Sequence, residues 1–122
     1  MGIFVNHTNH TADKWSEEQR LAAERYGQIK DVLFPSISAS WSSQQVRALA
    51  KQQAAEIIRL KPEAVLCQGE FTYVHCMIGF LQAAGMKVLA ACSERLCKER
   101  HMPDGHTERV SVFAFVQFRE YF

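Results

Sequence analysis

Asn6-His7-Thr8-Asn9-His10 packs two amides, a hydroxyl and two imidazoles into five residues. Such a run can donate and accept hydrogen bonds, and an imidazole can take a proton near neutral pH. Gln68-Gly69-Glu70-Phe71-Thr72 adds another amide, a carboxylate and a glycine that permits a tight turn or close approach of a ligand. Ser93-Glu94-Arg95 adds a second carboxylate and a guanidinium, which can grip an anion through two parallel hydrogen bonds. Each cluster directly follows an apolar run that reads as a strand: Ile3 to Val5, Ala64 to Cys67, and Val88 to Cys92. In a parallel α/β sheet the carboxyl ends of the strands line one edge, and ligands bind in the crevice there. The three clusters are therefore expected to converge.

Each cluster also has a plain structural reading. Asn and Thr in the first can cap local backbone groups. Glu70, in the first turn of a helix, is favoured there by the helix dipole and would itself repel a phosphate. Glu94 and Arg95 can face water or each other, where such a pair is worth little. Arg95 is nonetheless the one strong cation among the three clusters, so an anionic ligand would need it.

The elements that must hold these residues follow from periodicity and punctuation. Residues 2–6 read as a first buried strand. Ser16 with Gln19 fits a capping box that opens a helix, and Gly27 stops it. Ile29 to Phe34 read as a second strand ended by Pro35. Ser42 with Gln45 is another capping box, ahead of Val46, Leu49, Ala50, Ala54, Ile57 and Ile58 at helical spacing. A third strand covers Ala64 to Cys67, a third helix Phe71 to Ala84, and a fourth strand Val88 to Cys92. Pro103-Asp104-Gly105 marks a turn, and Val110 to Phe118 are rich in β-branched and aromatic residues. A terminal antiparallel hairpin follows, with its second arm expected to be long and largely buried. The expected fold is one α/β domain over residues 1–122. Its sheet is doubly wound, Rossmann-like and parallel, with core order 2-1-3-4 and the hairpin appended.

The 122 residues suffice for one domain. A net charge of +1 argues against recruitment of long duplex nucleic acid by overall field. No apolar stretch approaches the roughly 20 residues of a membrane span, and the first residues read as a strand rather than a leader. A cytoplasmic protein without membrane contact is the expectation. Cys67, Cys76, Cys92 and Cys97 form no Cys-x-x-Cys pair and read as structural thiols. Zinc-ligand spacings and glycine-rich phosphate loops are both missing, so neither metal nor cofactor is expected. The third helix carries no formal charge from Phe71 to Leu81 and reads as buried all round, with the hairpin or a second subunit covering one face. That predicts a homodimer, with His75 as a core or interface histidine.

The segments Phe4 to His10, Lys14 to Gln19, Val65 to Thr72 and Val88 to Arg95 resemble a family of short bacterial Rossmann-like proteins associated with CRISPR loci. The resemblance extends through Phe118-Arg119-Glu120-Tyr121. It implies kinship with ring nucleases, dimers that cut cyclic oligoadenylate signals of type III CRISPR antiviral defence through metal-free attack by a ribose 2′-hydroxyl. That link rests on fold and context rather than on a matched motif.

Three functional readings follow. In the first, the edge of the sheet binds a small nucleotide or cyclic oligonucleotide and cleaves it slowly. His7 or His10 takes the proton and Arg95 stabilises charge on the phosphate. Asn6, Asn9 and Gln68 fix the ribose or base edge, with Thr8, Gly69, Thr72, Ser93 and Glu94 beside them, and Trp15 stacks on a base. In the second, Glu70 or Glu94 is the nucleophile of an N-glycosidic bond hydrolase or transferase. In the third, the protein is a non-catalytic ligand sensor or an interaction subunit.

Overall fold

The computed structural model describes residues 2–122. Three strands pair in parallel, with β1 in the middle: β1 (Ile3–His7), β2 (Gln28–Asp31) and β3 (Ala64–Cys67). β4 (Val88–His101) joins β3 in parallel through Val88 and Leu89. β5 (Thr107–Glu120) runs antiparallel to β4 along its whole length. The order across the sheet is β2-β1-β3-β4-β5. Three helices connect the parallel strands: α1 (Glu17–Glu24), α2 (Ser43–Arg59) and α3 (Phe71–Ala83).

Alternation along the strands divides the core in two. Val5, Val65, Cys67 and Val88 face α2 and α3, against Val46, Ala50, Ile57, Met77 and Leu81. Phe4, Ala64, Leu66 and Leu89 face the other way, against Ala23 of α1, Trp15, Tyr26 and Phe118. Helices thus cover both faces of the sheet. Each large aliphatic side chain buried this way contributes about 1.5–3 kcal/mol.

The helix starts follow from their capping residues. Ser42 accepts from the Gln45 backbone while Gln45 accepts from the Ser42 backbone, a complete capping box. At α1, Ser16 Oγ accepts from the Gln19 N–H at 3.2 Å. Gly85, with φ of 80°, takes the left-handed position just past the end of α3.

Several expectations need correction. The second strand ends at Asp31, not Phe34. The Val32 N–H still donates to the Asn6 carbonyl, and then the chain turns so that Phe34 packs against His7 and Tyr73. The third helix is not buried all round. It buries Tyr73, Val74, Met77 and Leu81 against α2 and the sheet, but Phe71 is 89% exposed and His75 faces solvent. The hairpin does not cover it. Nor is β5 largely buried: only its base joins the body, through Phe118 and, just past the strand's end, Tyr121. The cause lies in β3, which ends at Cys67 and pairs with β4 only at Val88 and Leu89. Beyond that point the β4–β5 ribbon stands out alone, about 30 Å long from Ser93 to His101.

Candidate functional site

The carboxyl ends of β1 and β3 open into a cleft of about 490 Å³. Its walls come from four places. The loop after β1 supplies Thr8, Asn9 and His10. The short 3-10 turn Ala12–Lys14 and the start of α1 supply Lys14, Trp15, Ser16 and Gln19. The turn after β3 supplies Gln68 and Gly69, and the base of the ribbon supplies Ser93, Phe113 and Phe115.

The loop after β1 owes its shape to the buried Asn6. Its Nδ2 donates to the His10 carbonyl at 2.8 Å and to Asp31 Oδ1 at 2.7 Å. The Thr8 hydroxyl lies 2.8 Å from Asn6 Oδ1, and the Ala12 N–H donates to the same Asp31 oxygen at 3.1 Å. Asn6 thus spends its hydrogen-bonding capacity on the loop rather than on a ligand. Asn9 and His10 are left exposed at the cleft.

His7 points the other way, into the core. Its Nδ1 donates to the Val32 carbonyl at 2.8 Å, which leaves Nε2 to accept from the Tyr73 hydroxyl at 2.7 Å. The ring is fully buried, and burial pushes its pKa below the ordinary 6.5, against the smaller opposing pull of the Val32 carbonyl. Of the two candidate imidazoles, only His10 reaches the cleft. Burial likewise pushes the Cys67 thiol up to about 12, which leaves it inert as a nucleophile. Burial also raises the Tyr73 hydroxyl above its usual range.

Glu70 caps α3. Its carboxylate accepts from the Thr72 hydroxyl and from the backbone N–H groups of Thr72 and Tyr73. The Thr72 hydroxyl first, then the two N–H groups, hold its pKa below the usual carboxylate range. Glu70 and Thr72 therefore bond to each other, and neither lines the cleft. Gly69 does line it, for a steric reason. A Cβ at Gly69 would sit 2.3 Å from Phe34 Cζ, so the turn needs glycine to admit that ring.

Gln68 closes the gap where β3 stops. Its Oε1 accepts from the Ala91 N–H at 2.7 Å, replacing the ladder partner that β3 no longer supplies. That fixes the side chain at the cleft floor with its Nε2 still able to donate.

Ser93-Glu94-Arg95 is not a loop at a strand end, as the sequence suggested, but the middle of β4. Alternation puts Ser93 and Arg95 on the face of the cleft and Glu94 on the opposite face. Arg95 lies across from Phe113, just beyond the cleft, and its guanidinium donates to Ser111 Oγ at 3.1–3.2 Å. Lys14, not Arg95, is the cation that lines the cleft, and nothing in its sequence neighbourhood marks it out. Asp31, which holds the loop, and the two ribbon phenylalanines likewise carry no local sequence signal.

A β-bulge explains the phenylalanines. Cys92 pairs with Gln117 and Ser93 with Phe115, so Val116 is an extra residue. The bulge brings Phe115 onto the same face as Phe118, where the rings meet edge to face with centroids 4.9 Å apart. Phe118 packs against Phe4 at 5.3 Å, and Phe4 against Trp15 at 6.3 Å. An aromatic series thus runs beneath the cleft from Trp15 to Phe115. No period-based reading finds it, because the bulge breaks the period.

Among the described residues no group of three or more His, Cys, Asp or Glu side chains is placed to hold a metal ion. No helix of the described residues is long and apolar enough to cross a membrane. No curated protein and no solved structure matches the chain. One family model does match, over residues 2–119, and by that match the chain belongs to the uncharacterized protein MJ1673 family.

Proposed function

We propose that this doubly wound, Rossmann-like domain binds a nucleotide-like ligand in the cleft after β1 and β3. The observation that carries the reading is the pairing of aromatic walls with a cation and an imidazole. Trp15, Phe113 and Phe115 line the same space as Lys14 and His10. Flat heteroaromatic rings stack on such walls at about 1–3 kcal/mol per base. Lys14 attracts a phosphate as a point charge. Asn9, the free amide of Gln68 and the Ser93 hydroxyl supply hydrogen bonds to a base or ribose.

The finer reading is a metal-independent ring nuclease acting on cyclic oligoadenylate in type III CRISPR signalling. Its support is the resemblance of the segments around His10, Gln68 and Ser93 to the CRISPR-associated family. The chemistry assigned to the cleft is in-line attack by a ribose 2′-hydroxyl on the adjacent phosphorus. His10 takes the proton from the 2′-hydroxyl. The bond from phosphorus to the 5′-oxygen breaks and that oxygen takes a proton from water, giving a 2′,3′-cyclic phosphate and a 5′-hydroxyl. Lys14 offsets charge on the phosphoryl oxygens.

The test is mass spectrometry of products after incubation with a panel of cyclic and linear oligonucleotides and nucleosides. Cyclic-phosphate products, lost in His10→Ala, are expected. Release of free base would instead identify a glycosidic bond hydrolase. Tight binding with an unchanged ligand would identify a sensor.

A further inference from the structure

The ribbon has two outer edges, and the sequence treats them differently. On β4, five of the eight residues from Ser93 to Arg100 are charged: Glu94, Arg95, Lys98, Glu99 and Arg100. Charges on an edge strand are a standard defence against pairing with another chain. On β5, the nine residues from Val110 to Phe118 include no charge, no proline and no glycine. This strand is the last in the sheet order, so among the described residues no strand covers its outer edge. A long, uncharged strand of high β-propensity with a free edge is the profile of a segment that pairs or aggregates. The ribbon is also poorly supported by its own chain. Phe113 is 70% exposed and Val116 52%, and a lone two-stranded hairpin is marginally stable in water.

We propose that the β5 edge is the contact between two copies of this chain, paired antiparallel about a two-fold axis at Phe113. An antiparallel strand pair is self-complementary, which is what a two-fold contact requires. With the axis at Phe113, and Val116 set aside as the extra residue of the bulge, Glu108 of each copy falls opposite Arg119 of the other, a pair of opposite charges made twice. Phe113 then meets Phe113 of the other copy, Val112 meets Ala114, and Ser111 meets Phe115. The axis stands perpendicular to the joined sheet, so both clefts open on the same face of it. Phe113 lines the cleft of its own chain, and in the dimer it also borders the cleft of the other copy. The uncharged outer face of α3 is the competing contact, but nothing on it specifies a register.

The inference does not depend on the proposed function, since a dimer that binds no nucleotide leaves it standing. It is tested by light scattering on the full chain at micromolar concentration. Wild type is expected at twice 13.9 kDa. Phe113→Lys and Phe113→Glu each place like charges across the axis, so each alone should be monomeric. The dimer should weaken by roughly thirtyfold or more, the loss typical of a central anchor. An equimolar mixture of the two variants should return to the dimer mass. Circular dichroism confirms that each variant is folded, as the exposure of Phe113 leads one to expect. A monomeric wild type overturns the proposal. So does a dimer that survives Phe113→Lys, which moves the contact elsewhere, or a mixture that stays monomeric.

Discussion

His7 and Glu70 show how a residue of catalytic type is absorbed by the fold. The His7 ring is neutral in the folded protein because burial lowers its pKa, whereas the unfolded chain titrates near 6.5. Between those two values the unfolded state binds more protons. Stability contributed by the neutral ring is therefore full above 6.5 and falls as pH drops toward the lowered value. Urea unfolding should show the midpoint declining from pH 7 to pH 5.5, and a smaller decline in His7→Phe. Equal slopes would mean that carboxylates elsewhere carry the effect. Tyr73→Phe should cost about 1–3 kcal/mol at neutral pH, because it leaves the buried Nε2 of His7 unsatisfied. In the cleft the order of effects should reverse the sequence expectation for cations. Lys14→Ala should weaken binding of adenosine monophosphate more than Arg95→Ala, since Lys14 lines the cleft while Arg95 is tied to Ser111. Titration calorimetry at two salt concentrations separates this from stacking, because a phosphate contact fades with salt. Equal losses in the two variants would place Arg95 in the site as well.

At the scale of elements, the parallel strands and helices were legible because their signals are local. Ser42 with Gln45 marked the start of α2, and the short apolar runs marked β1 and β3. The convergence of Asn9, His10, Gln68 and Ser93 was legible too, from the rule that strand ends share an edge. Arg95 and Glu94 were misplaced because nothing in Val88 to Arg95 marks the end of a strand. The hairpin partner, far along the chain, extends β4 through them. Direction of side chains was equally hidden. Only the packed structure reveals that His7 turns inward while His10 turns outward. Glu70 offers a test at this scale, because a cap and a nucleophile respond differently to substitution. Glu70→Ala should cost about 1 kcal/mol, as N-cap losses do. Glu70→Ser should keep most of that stability, since serine also caps well. Should Glu70→Ser keep its thermal midpoint but lose all turnover on nucleosides, the carboxylate would be a nucleophile after all.

At the scale of the molecule, the body and the ribbon differ in what holds them together. The body has helices on both faces of a sheet and two packed cores. The ribbon beyond Ser93 has cross-strand pairs and little else; its residues from Ser93 to His101 are all exposed. Folding of the body therefore does not require it. Arg95 and Phe113 lie directly opposite, the geometry a two-residue turn can bridge. Replacing residues 96–112 with Asn-Gly should leave a folded body. In dilute solution, where no second copy contributes, its thermal midpoint should move by less than roughly 5 °C, the shift that about 1 kcal/mol causes in a domain of this size. The shortened chain keeps Ser93, Phe113 and Phe115, so it should still bind adenosine monophosphate in the cleft. It loses most of the β5 edge and should sediment as a monomer. Collapse of the midpoint by tens of degrees would show that the ribbon is part of the folding unit, and that its exposed side chains are covered in solution by the body itself.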